Sequence, residues 1–91
     1  MHFALICLDK PGALQTRVQT RPAHLSYIEA TGVVVEAGPF IDPAGQMCGS
    51  LIVLLADSMA EAEAWAAADP YAKAGLFASV SIHEWKRVIR G

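Results

Sequence analysis

The sequence predicts an α+β fold of the ferredoxin-like type, a βαββαβ chain with a four-stranded antiparallel sheet carrying both helices on one face. Three observations predict it. The periodic segments run strand, helix, strand, strand, helix, strand, which is two βαβ crossovers joined by a hairpin. The 91 residues leave room for one core and a single domain, residues 1–91. Several strands are also apolar on both faces, which is more apolar surface than two helices can cover.

Residues 2–8 form a continuous apolar run that stops at Asp9-Lys10-Pro11-Gly12, a strand and its turn. Residues 13–20 are mixed and polar, with no regular element beyond one irregular helical turn. A helix is expected from Pro22, whose missing N–H suits a first helical position, to Thr31, with Gly32 as the C′ glycine. Leu25 and Ile28 are expected on its inner side, with Ser26 and Glu29 in water. Residues 33–41 are strand two, Asp42-Pro43-Ala44-Gly45 is the turn, and residues 49–56 are strand three. Ser58 and Glu61 form a capping box ahead of an alanine-rich helix to Ala68. Asp69-Pro70 interrupts it, a short helix ends at Gly75, and strand four runs from residue 77 to about 88.

The strands carry a second message. In strand one Ala4, Ile6 and Leu8 point one way, and Phe3, Leu5 and Cys7 the other. Strand three divides in the same way, Leu51, Val53 and Leu55 against Ile52, Leu54 and Ala56. In strand four Val80 and Ile82 lie opposite a face carrying Phe77 and Trp85. Apolar residues make up 54% of the chain and charged residues 18%, a large apolar share for so small a domain. A homodimer through the helix-free sheet face, giving a barrel-like pair, is the expected cover.

Other classes are set aside on composition. The net charge is −2 and the seven Lys and Arg are scattered, so no nucleic-acid partner is expected. No stretch approaches the roughly 18 apolar residues of a membrane helix, and residues 1–8 read as a strand rather than a leader. Cys7 and Cys48 lack framework spacing, and a cytoplasmic location with free thiols is expected. His2, His24 and His83 are far apart, so neither a metal nor another cofactor is expected.

Three phrases stand out in order: Arg21-Pro22-Ala23-His24-Leu25, then Gly32 with Ala37-Gly38-Pro39, then Asp69-Pro70-Tyr71 with Lys73-Ala74-Gly75-Leu76-Phe77. As an ordered set over the whole chain they resemble the YciI-like family of small bacterial proteins, within the dimeric α/β barrel group. The resemblance implies a ferredoxin-like dimer, and it implies that His24 and Asp69 are the catalytic pair. One activity attached to that family is dehydrochlorination of a chlorinated hydroxyhydroquinone. For this chain that implies acid–base work on a small oxygenated ring.

The residues can also be read without it. His24 lies about 40° around the helix from Ile28, at the edge of the inner stripe. Asp69 extends the inward steps of Ala62, Trp65 and Ala66. Two helices on one sheet bring these edges together, and a carboxylate beside an imidazole orients it as a general base. Plainer roles stay open: Asp69 as the N-cap of the short helix, and His24 as a hydrogen-bonded histidine at the domain edge. Arg21 either holds a substrate oxygen or is a solvated helix-start arginine. Ser50 and Tyr71 either line the same cavity or are a strand hydroxyl and a packing aromatic. His83, beside Trp85 on the sheet, is the second catalytic candidate. Two functions follow: a cofactor-free lyase or isomerase on a small molecule, or a non-catalytic ligand-binding or assembly module that docks on a larger enzyme.

Overall fold

A computed structural model describes residues 1–90. Its elements are β1 (His2–Asp9), α1 (Leu14–Thr31), β2 (Val34–Ile41), β3 (Met47–Leu55), α2 (Met59–Ala68), α3 (Pro70–Lys73) and β4 (Phe77–Trp85). The four strands form one antiparallel sheet in the order β2-β3-β1-β4. This is the expected ferredoxin-like arrangement, with the two crossovers placing β1 and β3 at the centre.

Register fixes which residues share a face. Phe3 pairs with Leu54, Leu5 with Ile52 and Cys7 with Ser50, so these side chains lie under the helices. With Ala62 and Trp65 of α2 they form the core, and Phe3, Leu5, Ile52 and Leu54 are fully buried. Each such side chain stabilises the fold by roughly 1.5–3 kcal/mol. Gly49 closes the central pair: a Cβ there would collide with the Cys7 carbonyl and sit 3.0 Å from the Phe40 ring.

The opposite face carries no helix. It presents Ala4, Ile6 and Leu8 beside Leu51, Val53 and Leu55, with Ser81, His83 and Trp85 on β4. Val53 is buried, but Leu8 and Leu55 are 47% exposed and Leu51 and Trp85 are 38% exposed. Residues 86–90 leave the sheet at the β4 edge. Arg87 Nη2 nevertheless bonds Glu36 Oε1 of β2 at 2.6 Å.

Three expectations need correction. Helix α1 begins at Leu14, not at Pro22, and Pro22 lies inside it. Residues 14–20 contain no helix breaker. The proline, exposed on the outer face, costs the helix one donor rather than its continuity. Leu25 is half exposed, because α1 turns Arg17 and His24 inward instead. β4 stops at Trp85 rather than near residue 88. Both thiols are free as expected, Cys7 opposite Ser50 and Cys48 with its Sγ donating to the Phe40 carbonyl. The ends of α1 and α2 are otherwise as expected. Gly32 caps α1 in the left-handed region (φ 66°), donating to the Ile28 carbonyl, and Ser58 Oγ caps α2 by accepting the Glu61 N–H. No helix among the described residues is long and apolar enough to cross a membrane.

Candidate active site

α1 is unusual in turning charged and polar residues toward the core. Arg17 and His24 are seven residues apart, two helical turns, so they share one stripe. Both are almost fully buried, and each is matched by a carboxylate from another element.

Arg17 is held by Asp9 at the end of β1. Nε donates to Oδ2 at 2.7 Å and Nη2 to Oδ1 at 2.8 Å, a two-pronged geometry that fixes the guanidinium plane. Nη2 also donates to Ser50 Oγ of β3 at 3.0 Å. Burial alone would lower the Arg17 pKa, but the bond to Asp9 and its charge outweigh that and raise it. The guanidinium is thus held charged in a buried, two-pronged contact.

His24 Nδ1 lies 2.8 Å from Asp69 Oδ1. Asp69 sits where α2 ends and α3 begins, and the same Oδ1 accepts the backbone N–H of Tyr71 at 3.0 Å. The capping role and the contact with His24 therefore share one oxygen. An ionised carboxylate only accepts, so Nδ1 is the donor and Nε2 is left as the acceptor. The Tyr71 ring stacks on the imidazole, with centroids 4.0 Å apart and planes at 20°. Arg17 Cζ lies 4.7 Å from the same tyrosine ring. Burial raises the Tyr71 pKa, with Arg17 and Arg21 pulling against it. Burial, then the charge of Asp69, pushes the Cys7 thiol beneath the site up to about 12.

These groups line a cavity of about 120 Å³ between α1 and the β2–β3 side of the sheet. One wall is polar, formed by Arg17, Arg21, His24, Ser50 and Tyr71. The remainder is largely apolar, with Leu25, Ile28, Met47 and Ile52 prominent. No fully buried side-chain nitrogen or oxygen among the described residues lacks a hydrogen-bond partner. His24 Nε2 has no protein partner, and His24, Tyr71 and Arg17 all line the cavity, with the Tyr71 hydroxyl beside the Arg17 guanidinium.

The structure brings His24, Asp69, Ser50 and Tyr71 into one cluster. Arg21 lines the cavity too, but it is exposed and outside the buried network. His83 is on the helix-free face, across the sheet from His24, so it takes no part in this cavity. Asp9 and Arg17 were not legible as site residues. Asp9 reads as the end of a strand, and Arg17 falls in a segment without a clear period. Continuing the helix one face backward from His24 would have found Arg17.

A ferredoxin-like α+β domain with a His–Asp contact in a cleft between helix and sheet defines the class of protein. Within it, the chain belongs to the YCII-related domain family, whose pattern matches residues 1–86. It is 35% identical to Protein YciI of Escherichia coli O6:H1 across 97% of this chain and 99% of that protein. Among solved structures it is similar to 5-chloro-2-hydroxyhydroquinone dehydrochlorinase from Burkholderia phenoliruptrix AC1100, in complex with 2,5-dihydroxybenzoquinone. The TM-score there is 0.85 with 34% identity over 94% of each chain. A NIPSNAP family protein of Agrobacterium tumefaciens shares the fold alone, at TM-score 0.53 and 16% identity over 90% of this chain and 87% of that one.

Proposed function

We propose that the chain is a cofactor-free acid–base enzyme of the lyase or isomerase type, acting on a small oxygenated ring. The observation that carries this reading is the buried 2.8 Å contact of His24 Nδ1 with Asp69 Oδ1, which leaves Nε2 facing the cavity. His24 is the general base, and Asp69 holds its tautomer and stabilises the imidazolium formed when it takes a proton. Arg17 Nη1 and Ser50, with Arg21 at the mouth, receive the oxygen on which charge develops. The cavity, about 120 Å³ and open on one side to solvent, favours a small single ring over a larger ligand. The similar dehydrochlorinase supports the choice of an oxygenated aromatic substrate.

The test is chloride release from 5-chloro-2-hydroxyhydroquinone under nitrogen. Turnover by the wild type that is lost in His24→Ala is the expected result. Saturable binding without turnover of this or related rings favours the non-catalytic ligand-binding module instead.

A homodimer belongs to the same proposal, with the helix-free sheet face as its interface. The exposed Leu8, Leu51, Leu55 and Trp85 form one apolar surface there. A domain of 34 × 26 × 21 Å can supply the roughly 800 Å² per partner of a standard interface.

A further inference from the structure

Tyr71 touches Asp69, His24 and Arg17 together. Its backbone N–H binds the Asp69 oxygen that holds His24. One ring contact is with the imidazole and another with the Arg17 guanidinium, while Phe77 packs at 5.9 Å in an edge-on geometry. The residue is 2% exposed and lines the cavity, where its hydroxyl has the Arg17 guanidinium as polar neighbour. Packing needs no such hydroxyl: phenylalanine would fill the space without placing a polar group beside an apolar wall.

We propose that Tyr71 is a second proton-transfer residue, the acid that serves the substrate oxygen while His24 serves the adjacent carbon. The inference rests on the acid–base reading of the site given above. His24 Nε2 takes the proton from carbon, and the C–H electron pair becomes the new carbon–carbon π bond. The carbonyl π pair moves to oxygen, which takes its proton from Tyr71 Oη. The substrate loses one proton and gains one, so the net change is a tautomerisation and no electrons pass to another reactant. The proton on the imidazolium then returns to the tyrosinate through solvent.

The surroundings suit both states of the hydroxyl. Burial keeps Tyr71 protonated at rest, and Arg17 and Arg21 offset the charge of the tyrosinate while it exists. The near-parallel stack holds the Tyr71 and His24 rings 4.0 Å apart in the lining of the cavity, so a single small ring can meet both. Arg17 then supports the acid as well as the oxygen.

The probe is 1,2,4-trihydroxybenzene in D2O under nitrogen, with ring deuteration followed by proton NMR; this runs the same step in reverse. Wild type is expected to accelerate exchange, and His24→Ala to return it to background. Tyr71→Phe keeps the stack and the backbone bond. It is expected to slow exchange by about 100-fold, within the range of general acid catalysis, while probe affinity stays within about threefold. 3-Fluorotyrosine at position 71 alone, with its more acidic hydroxyl, is expected to move the alkaline limb of the rate profile to lower pH. Exchange by Tyr71→Phe within about twofold of wild type overturns the proposal and leaves His24 as base. So does an equal loss of rate and affinity, which marks the hydroxyl as a binding group only. A wild type at background overturns the acid–base reading, and the role of Tyr71 with it.

Discussion

Asp69 Oδ1 accepts from both His24 Nδ1 and the Tyr71 N–H, at 2.8 and 3.0 Å. A helix cap is therefore also the group that sets the imidazole's tautomer. The cap gives the carboxylate an anchor on α3 besides the histidine. That matters for an enzyme, where the orienting group must be in place before substrate arrives.

It also makes the two roles separable. Asp69→Asn keeps an oxygen able to cap α3 but removes the charge that favours imidazolium. The expected outcome is a domain whose melting temperature changes little and whose turnover falls by about 100-fold or more. Circular dichroism and the chloride-release assay read the two effects. A lower melting temperature at unchanged turnover would falsify the orienting role and leave only the cap.

The Asp9–Arg17 pair gives a second expectation. Both side chains are buried, at 3% and 6% exposure, so removing one leaves the other charged without a partner. Asp9→Ala should cost roughly 3–5 kcal/mol in urea unfolding. Asp9→Ala combined with Arg17→Met should recover much of this, since an apolar pair of similar volume needs no compensation. The recovered protein is expected to fold and bind the probe ring poorly. Equal stability of wild type and Asp9→Ala would show that solvent reaches the guanidinium freely.

How much of this was legible in the chain follows from local signals. The Ser58–Glu61 capping box, the Gly32 cap and the two-sided apolar strands are short-range patterns, and each gave its element correctly. α1 was shortened because Pro22 looks like a helix start when its neighbours are polar. The register of a helix over a sheet is a tertiary property, so the inward turn of Arg17 was hidden for the same reason. Asp9 sits at the boundary between strand and turn, and its partner lies eight residues ahead on a helix whose first half has no clear period. His24 and Asp69 could be named, because each lies on an inner stripe, but their contact depends on how α1 meets the α2–α3 junction.

Cys7 contributes to the alkaline limit of the fold. Its thiol is held at about 12 against an ordinary 9.0 by burial and then by Asp69. Between those values the native state keeps a proton that the unfolded chain has lost. Stability therefore falls as pH rises from 9 toward 12, and below 9 the group contributes no pH dependence. Tyr27 and Tyr71, also raised, act in the same direction at higher pH. Melting temperature against pH is expected to decline less steeply for Cys7→Ala than for wild type above pH 9. In native protein at pH 8 an alkylating reagent should modify Cys48 and spare Cys7. Parallel alkaline profiles for the two proteins would contradict the assignment.

The proposed dimer is tested from the helix-free face. Leu51 and Leu55 project from β3, a central strand, each partly exposed and beside Leu8 and the His2–Trp85 contact. A carboxylate at either position meets water in a monomer and an apolar surface in a dimer. Leu51→Asp should therefore leave the monomer's fold intact, since the buried core lies on the other side of the sheet. In the dimer it should cost several kcal/mol per copy by burying an unpaired charge. Light scattering at micromolar concentration is expected to give twice the chain mass for wild type and the chain mass for Leu51→Asp. Leu25→Asp, half exposed on α1 and away from that face, is the control expected to remain a dimer. A wild type at the chain mass would leave the apolar face for a different partner, and dissociation by both variants would move the interface off the sheet.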